Sequence, residues 1–398
     1  VAALPYGHHV RRNGAPVTSG VIERQVPKKP QQEIVELTKA LIRIPSVHSR
    51  PHEIQRCADF LETWLSERNI AYQRQDINGT PSVCVVPRRD HVRVLYMAHF
   101  DVVEVDDEAL FDPREENGRL YGRGAVDDKY AVALALILFS EHLKDLRSVG
   151  KDQADMGFGL LLTGDEEVGG ANGAGALVSD LDVDFFVALD GGGPERIVTR
   201  EKGLLHLELT TRGKAAHGAR PWLGENAFNH MVADYHAVQQ LFDEGDNRAS
   251  ADHWHKTLVL SNCRAGDGSI NKVPDRASAT LDIRYTEAED PDAIVTAIRE
   301  VLVHSTLKVL AKEPLFNSGE STYLELLLSI ANNAATTSEH GSSDARYLSA
   351  RGIPGVVWGA EGEMSQHSAD EHVVTDSLGQ LFECLDRFQK TLSPMEGD

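Results

Sequence analysis

"GFGLLLTGDEEVGG", residues 157–170, decides how the rest of this chain is read. Its first half is a short, continuous apolar run, the pattern of a strand buried on both faces. Its second half sets Asp165, Glu166 and Glu167 side by side directly after that strand. Three adjacent like charges repel, and burying even one carboxylate unpaired is expensive. Something at the end of this strand must make the acids tolerable.

The same kind of strand recurs on either side. "HVRVLYMAHFD" (91–101) and "VDFFVALDGGG" (183–193) are apolar runs that end in polar groups. Between the strands, "QQEIVELTKALIRI" (31–44), "HEIQRCADFLETWLSERNI" (52–70) and "VDDKYAVALALILFSEHLKDL" (126–146) carry apolar residues at helical spacing, the last read as a long helix with an acidic first turn. This alternation predicts an α/β fold, a mainly parallel sheet covered on both faces. Near Thr199 the pattern changes to strand, helix, two strands, helix and strand, from "GLLHLELTTRG" to "TLKVLA". That order is the α+β, ferredoxin-like βαββαβ unit. The expected organisation is a tail over 1–30, a large domain from 31–199 with 313–398, and a smaller domain, 200–312, inserted within it.

The chain has 398 residues, and its 61 acids outnumber 40 bases, for a formal charge of −21. That balance argues against a nucleic-acid partner, which would need a basic face. The longest apolar run, "AVALALILF" from Ala131, is too short to span a membrane. Cys57, Cys84, Cys263 and Cys384 form no CxxC pair and read as core or free thiols in a reducing compartment. The opening twenty residues lack an initiator Met and the apolar stretch of a secretory signal. The expected location is the cytoplasm.

In an open parallel sheet, functional groups collect beyond the carboxyl ends of the strands. Those ends carry His99 and Asp101, then Asp127 and Asp128, then Asp165, Glu166 and Glu167, then Asp190, and late in the chain His367. Taken singly, an HxD is incidental, and an acid at a helix start or after a strand is cap or turn chemistry. Together, they put histidines and carboxylates on the one edge where ligands bind. Two histidines with carboxylates and no cysteine suit zinc or a similar divalent ion. The acids become tolerable if metal is bound among them. An acid two residues after His99 can fix its tautomer by taking the second ring N–H. A nucleotide-binding α/β protein is disfavoured, because no glycine fingerprint opens a helix after the first strand.

In this order, "MAHFDVV", "GRGAVDDK", "LTGDEEVGG", "ALDGG" and "HSADEHV" resemble the M20 metallopeptidases, a group of aminoacylases, acetylornithine and succinyl-diaminopimelate deacylases, glutamate carboxypeptidases and carnosinase-like dipeptidases. The resemblance covers most of the chain from about residue 31, the inserted domain included. It implies a zinc-hydrolase catalytic domain with an inserted lid and dimerisation domain, and two divalent ions, zinc foremost with cobalt or manganese as alternatives. His99 and Asp190 would hold one ion, Glu167 and His367 the other, and Asp127 would bridge them. Asp101 would orient His99, and Glu166 would be the general base toward a metal-bridging water. The peptide between Asp127 and Asp128 would be cis.

His217, in "RGKAAHGAR", matches the family's oxyanion-stabilising histidine, which arrives from the other subunit in dimeric members. Arg284 and Asn271 match positions that hold a substrate carboxylate or the oxyanion, and Ser342 in "GSSDARYL" lies in a loop resembling the substrate-contacting one. Arg284 could equally pair with Asp282 or Glu208, and Arg346 with Asp344. The implied activity is cleavage of an amide next to a free carboxylate, on a small N-acyl amino acid, by a homodimer. The alternatives are a cytosolic metallodipeptidase and, ranked lower, a non-catalytic metal-binding scaffold, against which the presence of Glu166 and His367 argues. "DDK" points weakly to dipeptides and "SDARYL" to deacylation.

Overall fold

The computed structural model describes residues 28–87, 91–243, 253–331 and 334–392. The expected tail therefore falls almost wholly outside the described residues, and the first helix, Lys28–Ile42, begins three residues earlier than its periodicity predicts.

The quoted strand forms as Phe158–Thr163, every residue buried. It pairs in parallel with Val92–His99, which pairs in parallel with Val183–Ala188, and that strand in turn with Gly355–Val357. Alternation across this sheet separates two cores. Val94, Tyr96, Leu160, Leu162, Phe185 and Val187 pack under the helices Lys28–Ile42, Pro51–Glu67, Lys129–Ser148 and Thr375–Leu392. Leu95, Met97, Leu161, Phe186 and Ala188 pack on the other face against Leu177 and Leu348, from two short helices. Both faces are thus covered, which is why these strands lack polar alternation.

The parallel centre has antiparallel flanks. Gln73–Ile77 and Thr80–Val85 add one edge, and Arg196–Glu201 with Phe316–Asn317 add the other, where Ala335–Glu339 also pairs in parallel with Arg196–Glu201. The long helix corrects one expectation. It starts at Lys129, with no acid in its first turn. Asp127 and Asp128 precede it, joined by a cis peptide as the resemblance implies.

The second sheet has strand order Thr257–Ala265, Arg276–Tyr285, Gly203–Arg212, Ser305–Glu313, all antiparallel. With helices Ala227–Gln240 and Pro291–Val301, the chain order is βαββαβ. Leu205, Leu207, Leu209, Leu281 and Ile283 form its core with Val238, Val295 and Ile298. The alternate residues, among them Leu204, His206 and Arg284, face away from those helices.

Candidate metal centre

Sheet register brings the first groups together. His99 ends its strand opposite Thr163, and Met97 pairs with Ala188, so His99, the Asp165–Glu167 turn and Asp190 leave the sheet at the same edge. A small antiparallel sheet delivers the rest. His372–Val374 pairs with Arg119–Tyr121, so the loops carrying Asp127 and His367 run side by side. A buried ion pair locks them: Arg123 binds Glu371, whose other oxygen accepts the Gly124 N–H at 2.8 Å. Arg123 also donates to the main-chain oxygen of His367 at 3.2 Å.

Two triads result, with Asp127 common to both. His99 Nε2 lies 3.0 Å from Asp127 Oδ1 and 3.9 Å from Asp190 Oδ2. His367 Nε2 lies 3.0 Å from Asp127 Oδ2 and 3.4 Å from Glu167 Oε2. Within each triad, one ligand atom per residue falls within 4.8 Å of the others. Among the described residues, the buried Glu167 Oε1 has no hydrogen-bond partner. Imidazole and carboxylate donors without thiolate, converging around a shared carboxylate, fit a pair of divalent ions.

The three acids of the opening stretch take three directions. Asp165 turns back, accepting the N–H groups of Asn172 at 2.8 Å and Gly173 at 3.1 Å. Glu166 faces the cavity, its Oε2 4.0 Å from His99 Nε2 and outside both triads. Glu167 meets His367. The turn itself is held by Asp101, whose Oδ1 accepts Glu166 N–H at 3.2 Å and whose Oδ2 accepts Glu167 N–H at 3.0 Å. Asp101 also stands behind His99: Nδ1 is 3.4 Å from its Oδ1 and 3.1 Å from its main-chain oxygen. On its far side sits a group that sequence reading missed, His48, with Nε2 2.9 Å from Asp101 Oδ2.

Charge follows this geometry. Burial opposes ionisation of Asp101 and Asp127, yet the histidines facing them win: His48 and His99 hold Asp101 at about 2, and His367 and His99 hold Asp127 well below the carboxylate range. Burial also favours a neutral His99, but Asp101 and Asp127 raise it well above 6.5. His367 is raised to about 10 by Asp127 and then Glu167. Burial drives Glu166 well up, with Asp190 and Asp344 adding to it, and burial and then Asp127 push Asp190 up to about 8. A divalent cation would hold such acids ionised and displace the imidazolium protons.

The triads open into a cavity of about 710 Å³ bounded by both sheets. Arg284 and Ser342 line it, and Arg284 is paired with Asp282, Nε to Oδ1 at 2.9 Å. His217 and Asn271 do not line it. They lie together on exposed segments, with Gly218 N–H donating to Asn271 O at 2.7 Å. Arg346, buried in the cavity wall, donates to Ser343 O at 2.6 Å and to Gly169 O at 2.7 Å, and lies 3.9 Å from Asp344. Lys129 of "DDK" is fully buried and donates to Leu41 O and Ile44 O, outside the cavity lining.

Residues 95–391 match the model of Peptidase family M20/M25/M40. A succinyl-diaminopimelate desuccinylase of Coxiella burnetii is 24% identical over 308 residues, 71% of this chain and 80% of that protein. A probable carboxypeptidase of Paracoccidioides brasiliensis is 26% identical over 336 residues, 73% of this chain and 74% of that one. In structure, the chain is similar to an M20 family metallo-carboxypeptidase of Sulfolobus solfataricus, with a TM-score of 0.72 at 20% identity, covering 90% of this chain and 98% of that one. With the family model matched over most of the chain and the fold shared, this protein belongs to Peptidase family M20/M25/M40 and is a hydrolase, with the metal dependence typical of that family.

Proposed function

We propose that this protein is a two-metal amidohydrolase that cleaves an amide bond next to a free carboxylate, of the N-acyl amino acid deacylase type. The observation that carries the reading is the pair of triads sharing Asp127, with Glu166 beside them and belonging to neither. His99 and Asp190 would hold one ion, His367 and Glu167 the other, with Asp127 between them. Bound there, zinc or a similar ion supplies positive charge that polarises a carbonyl and acidifies water.

The protein's own groups do the rest. Glu166, raised by burial, is poised to take a proton from attacking water and return it to the leaving nitrogen. Asp101 fixes His99 through Nδ1 and holds the turn that separates Glu166 from Glu167. Arg284 offers a planar fork to the substrate carboxylate, exchanging its bond to Asp282 for the ligand, and Ser342 lines the same cavity.

His217 we assign to the oxyanion of a neighbouring copy's substrate, with Asn271 beside it. Both stand exposed on the 200–312 unit, near the exposed Trp222, Leu223, Phe228 and Ile270. An apolar surface of this kind is what a dimer would cover, so the inserted unit is read as lid and dimerisation domain on the 31–199 and 313–398 catalytic domain. The test is hydrolysis of N-acetyl and N-succinyl amino acids alongside dipeptides, using metal-stripped protein before and after zinc is added. Zinc-dependent release from the N-acyl compounds is expected. Cleavage of dipeptides alone would overturn the deacylase assignment, and zinc bound without cleavage of any substrate would favour a scaffold.

A further inference from the structure

We propose that His48 is a positioning residue of this centre, the outside anchor that fixes the Asp101 carboxylate and, through it, His99 and the Glu166–Glu167 turn. The inference rests on the metal-centre reading above. Among the described residues, three hydrogen bonds and one ion-pair contact meet the fully buried Asp101 carboxylate, the His99 Nδ1 contact being shared with the Asp101 main-chain oxygen at 3.1 Å. Oδ1 takes Glu166 N–H at 3.2 Å and faces His99 Nδ1 at 3.4 Å, while Oδ2 takes Glu167 N–H at 3.0 Å and faces His48 Nε2 at 2.9 Å. Three of the four belong to the groups that need orienting. They cannot define the carboxylate plane independently of themselves. His48 alone comes from elsewhere in the chain.

That origin is rigid. Val47 forms a parallel bridge with Val102, the Val102 N–H donates to Ser46 O at 3.1 Å, and Ser46 Oγ donates to Phe100 O at 2.5 Å. On the other side of His48, the Ser49 N–H and hydroxyl both donate to Glu104 at 2.9 Å. The imidazole is therefore carried by a segment pinned along the same stretch that holds His99 and Asp101. Without it, Oδ2 keeps only the Glu167 N–H, and the carboxylate is held solely by the groups it is meant to orient. The longest of the four contacts, to His99 Nδ1, has most to lose. Groups that orient a ligating histidine typically influence metal affinity or activity about 10- to 100-fold. His48 acts one step further out, so an effect of about tenfold is expected.

The ring is 29% exposed, which leaves room for substitution. His48→Phe keeps a planar ring and removes the donor, and His48→Gln restores an N–H near the Nε2 position. Full-length metal-stripped wild type and both variants are titrated with Co²⁺, followed by visible absorption, and kcat and KM are measured on the best substrate of the panel above. The expected result is a roughly tenfold loss of Co²⁺ affinity in His48→Phe, with kcat reduced and KM unchanged, and recovery of most of both losses in His48→Gln. Wild-type affinity in His48→Phe overturns the proposal. Equal losses in both variants also overturn it, since they would make the role one of shape and not of hydrogen bonding. A wild type that takes up no Co²⁺ overturns the metal-centre reading itself, and the positioning role with it, an outcome separate from the other two.

Discussion

Glu166→Gln should separate the proposed catalytic role from metal binding in a single atom change. Glu166 Oε2 lies 4.0 Å from His99 Nε2, against 3.0 Å for Asp127, and the residue belongs to neither triad. Its backbone N–H, whose hydrogen bond Asp101 accepts, is retained by glutamine. Glutamine has the same length and volume, so cavity and core are unchanged. Burial already pushes the Glu166 carboxyl towards its neutral form in the metal-stripped protein, and a neutral amide imposes no new electrostatic cost there. What disappears is the ability to take a proton. General-base catalysis is typically worth about 10²- to 10⁴-fold, which at 1.36 kcal/mol per tenfold is roughly 2.7–5.4 kcal/mol of barrier. The expected variant retains its full metal complement by elemental analysis and melts with wild type, while kcat falls by at least about a hundredfold. Turnover within a few-fold of wild type would refute the assignment of Glu166 as base. Loss of an ion would refute the division between Glu166 and Glu167.

Asp127→Ala removes the carboxylate common to both triads, so metal content should fall from two ions towards none, whereas Asp190→Ala or Glu167→Ala should remove one; elemental analysis after dialysis distinguishes them. Arg284→Ala should raise KM for the carboxylate-bearing substrate by about tenfold or more with a smaller change in kcat, since a hydrogen bond to a charged group is worth roughly 1.5–3 kcal/mol. His367 carries a proton up to about 10 in the metal-stripped protein, so metal uptake near neutral pH should release protons and apparent affinity should rise with pH, as calorimetry in buffers of different ionisation enthalpy would register. The sign for stability is opposite: a folded pKa raised from 6.5 to about 10 stabilises fully below 6.5 and is lost as pH climbs through 10, so the stripped protein should melt lower across that window. Glu371→Ala leaves Arg123 buried without its partner and should cost about 3–5 kcal/mol by denaturant unfolding, part of it recovered by adding Arg123→Met.

How much of this was legible depends on where the partner of each residue sits. The parallel strands were readable because burial on both faces removes polar alternation, and the acids ending them announced the site. The edge strands Gln73–Ile77 and Ala335–Glu339 were not, because an edge with exposed residues, "QRQDI" or "ATTSE", has no apolar signature to read. The start of the long helix was misread because Asp127 and Asp128 resemble a helix-dipole pair, although both precede the first turn. His48 gave no signal at all. Its partner is 53 residues away, and nothing in "IPSVHSRPHE" distinguishes it from a surface histidine. The Arg123–Glu371 lock spans 248 residues and was equally silent.

The place of the insertion explains why one cavity draws on both sheets. Arg196–Glu201 ends the large sheet's strand, and after the single buried Lys202 the chain enters Gly203–Arg212 of the small sheet. It returns along Ser305–Glu313 and rejoins the large sheet at Phe316–Asn317, paired with Arg200 and Glu201. Glu201 and Leu204 on the outward crossing and Ala311 and Glu313 on the return all line the cavity. Because strand residues alternate, the small sheet can give one face to its own helices and turn Leu204, His206 and Arg284 towards the triads. Arg284 stands opposite Leu204 in register, so it is placed by the outward crossing and not by a loop of its own. The two crossings join the small sheet, and Arg284 with it, to the large sheet. On the proposed reading, with Arg284 as the carboxylate anchor, the distance from anchor to scissile amide would be set by how the two sheets meet, and substitutions at the crossing residues should alter the preferred substrate length without touching a proposed metal ligand.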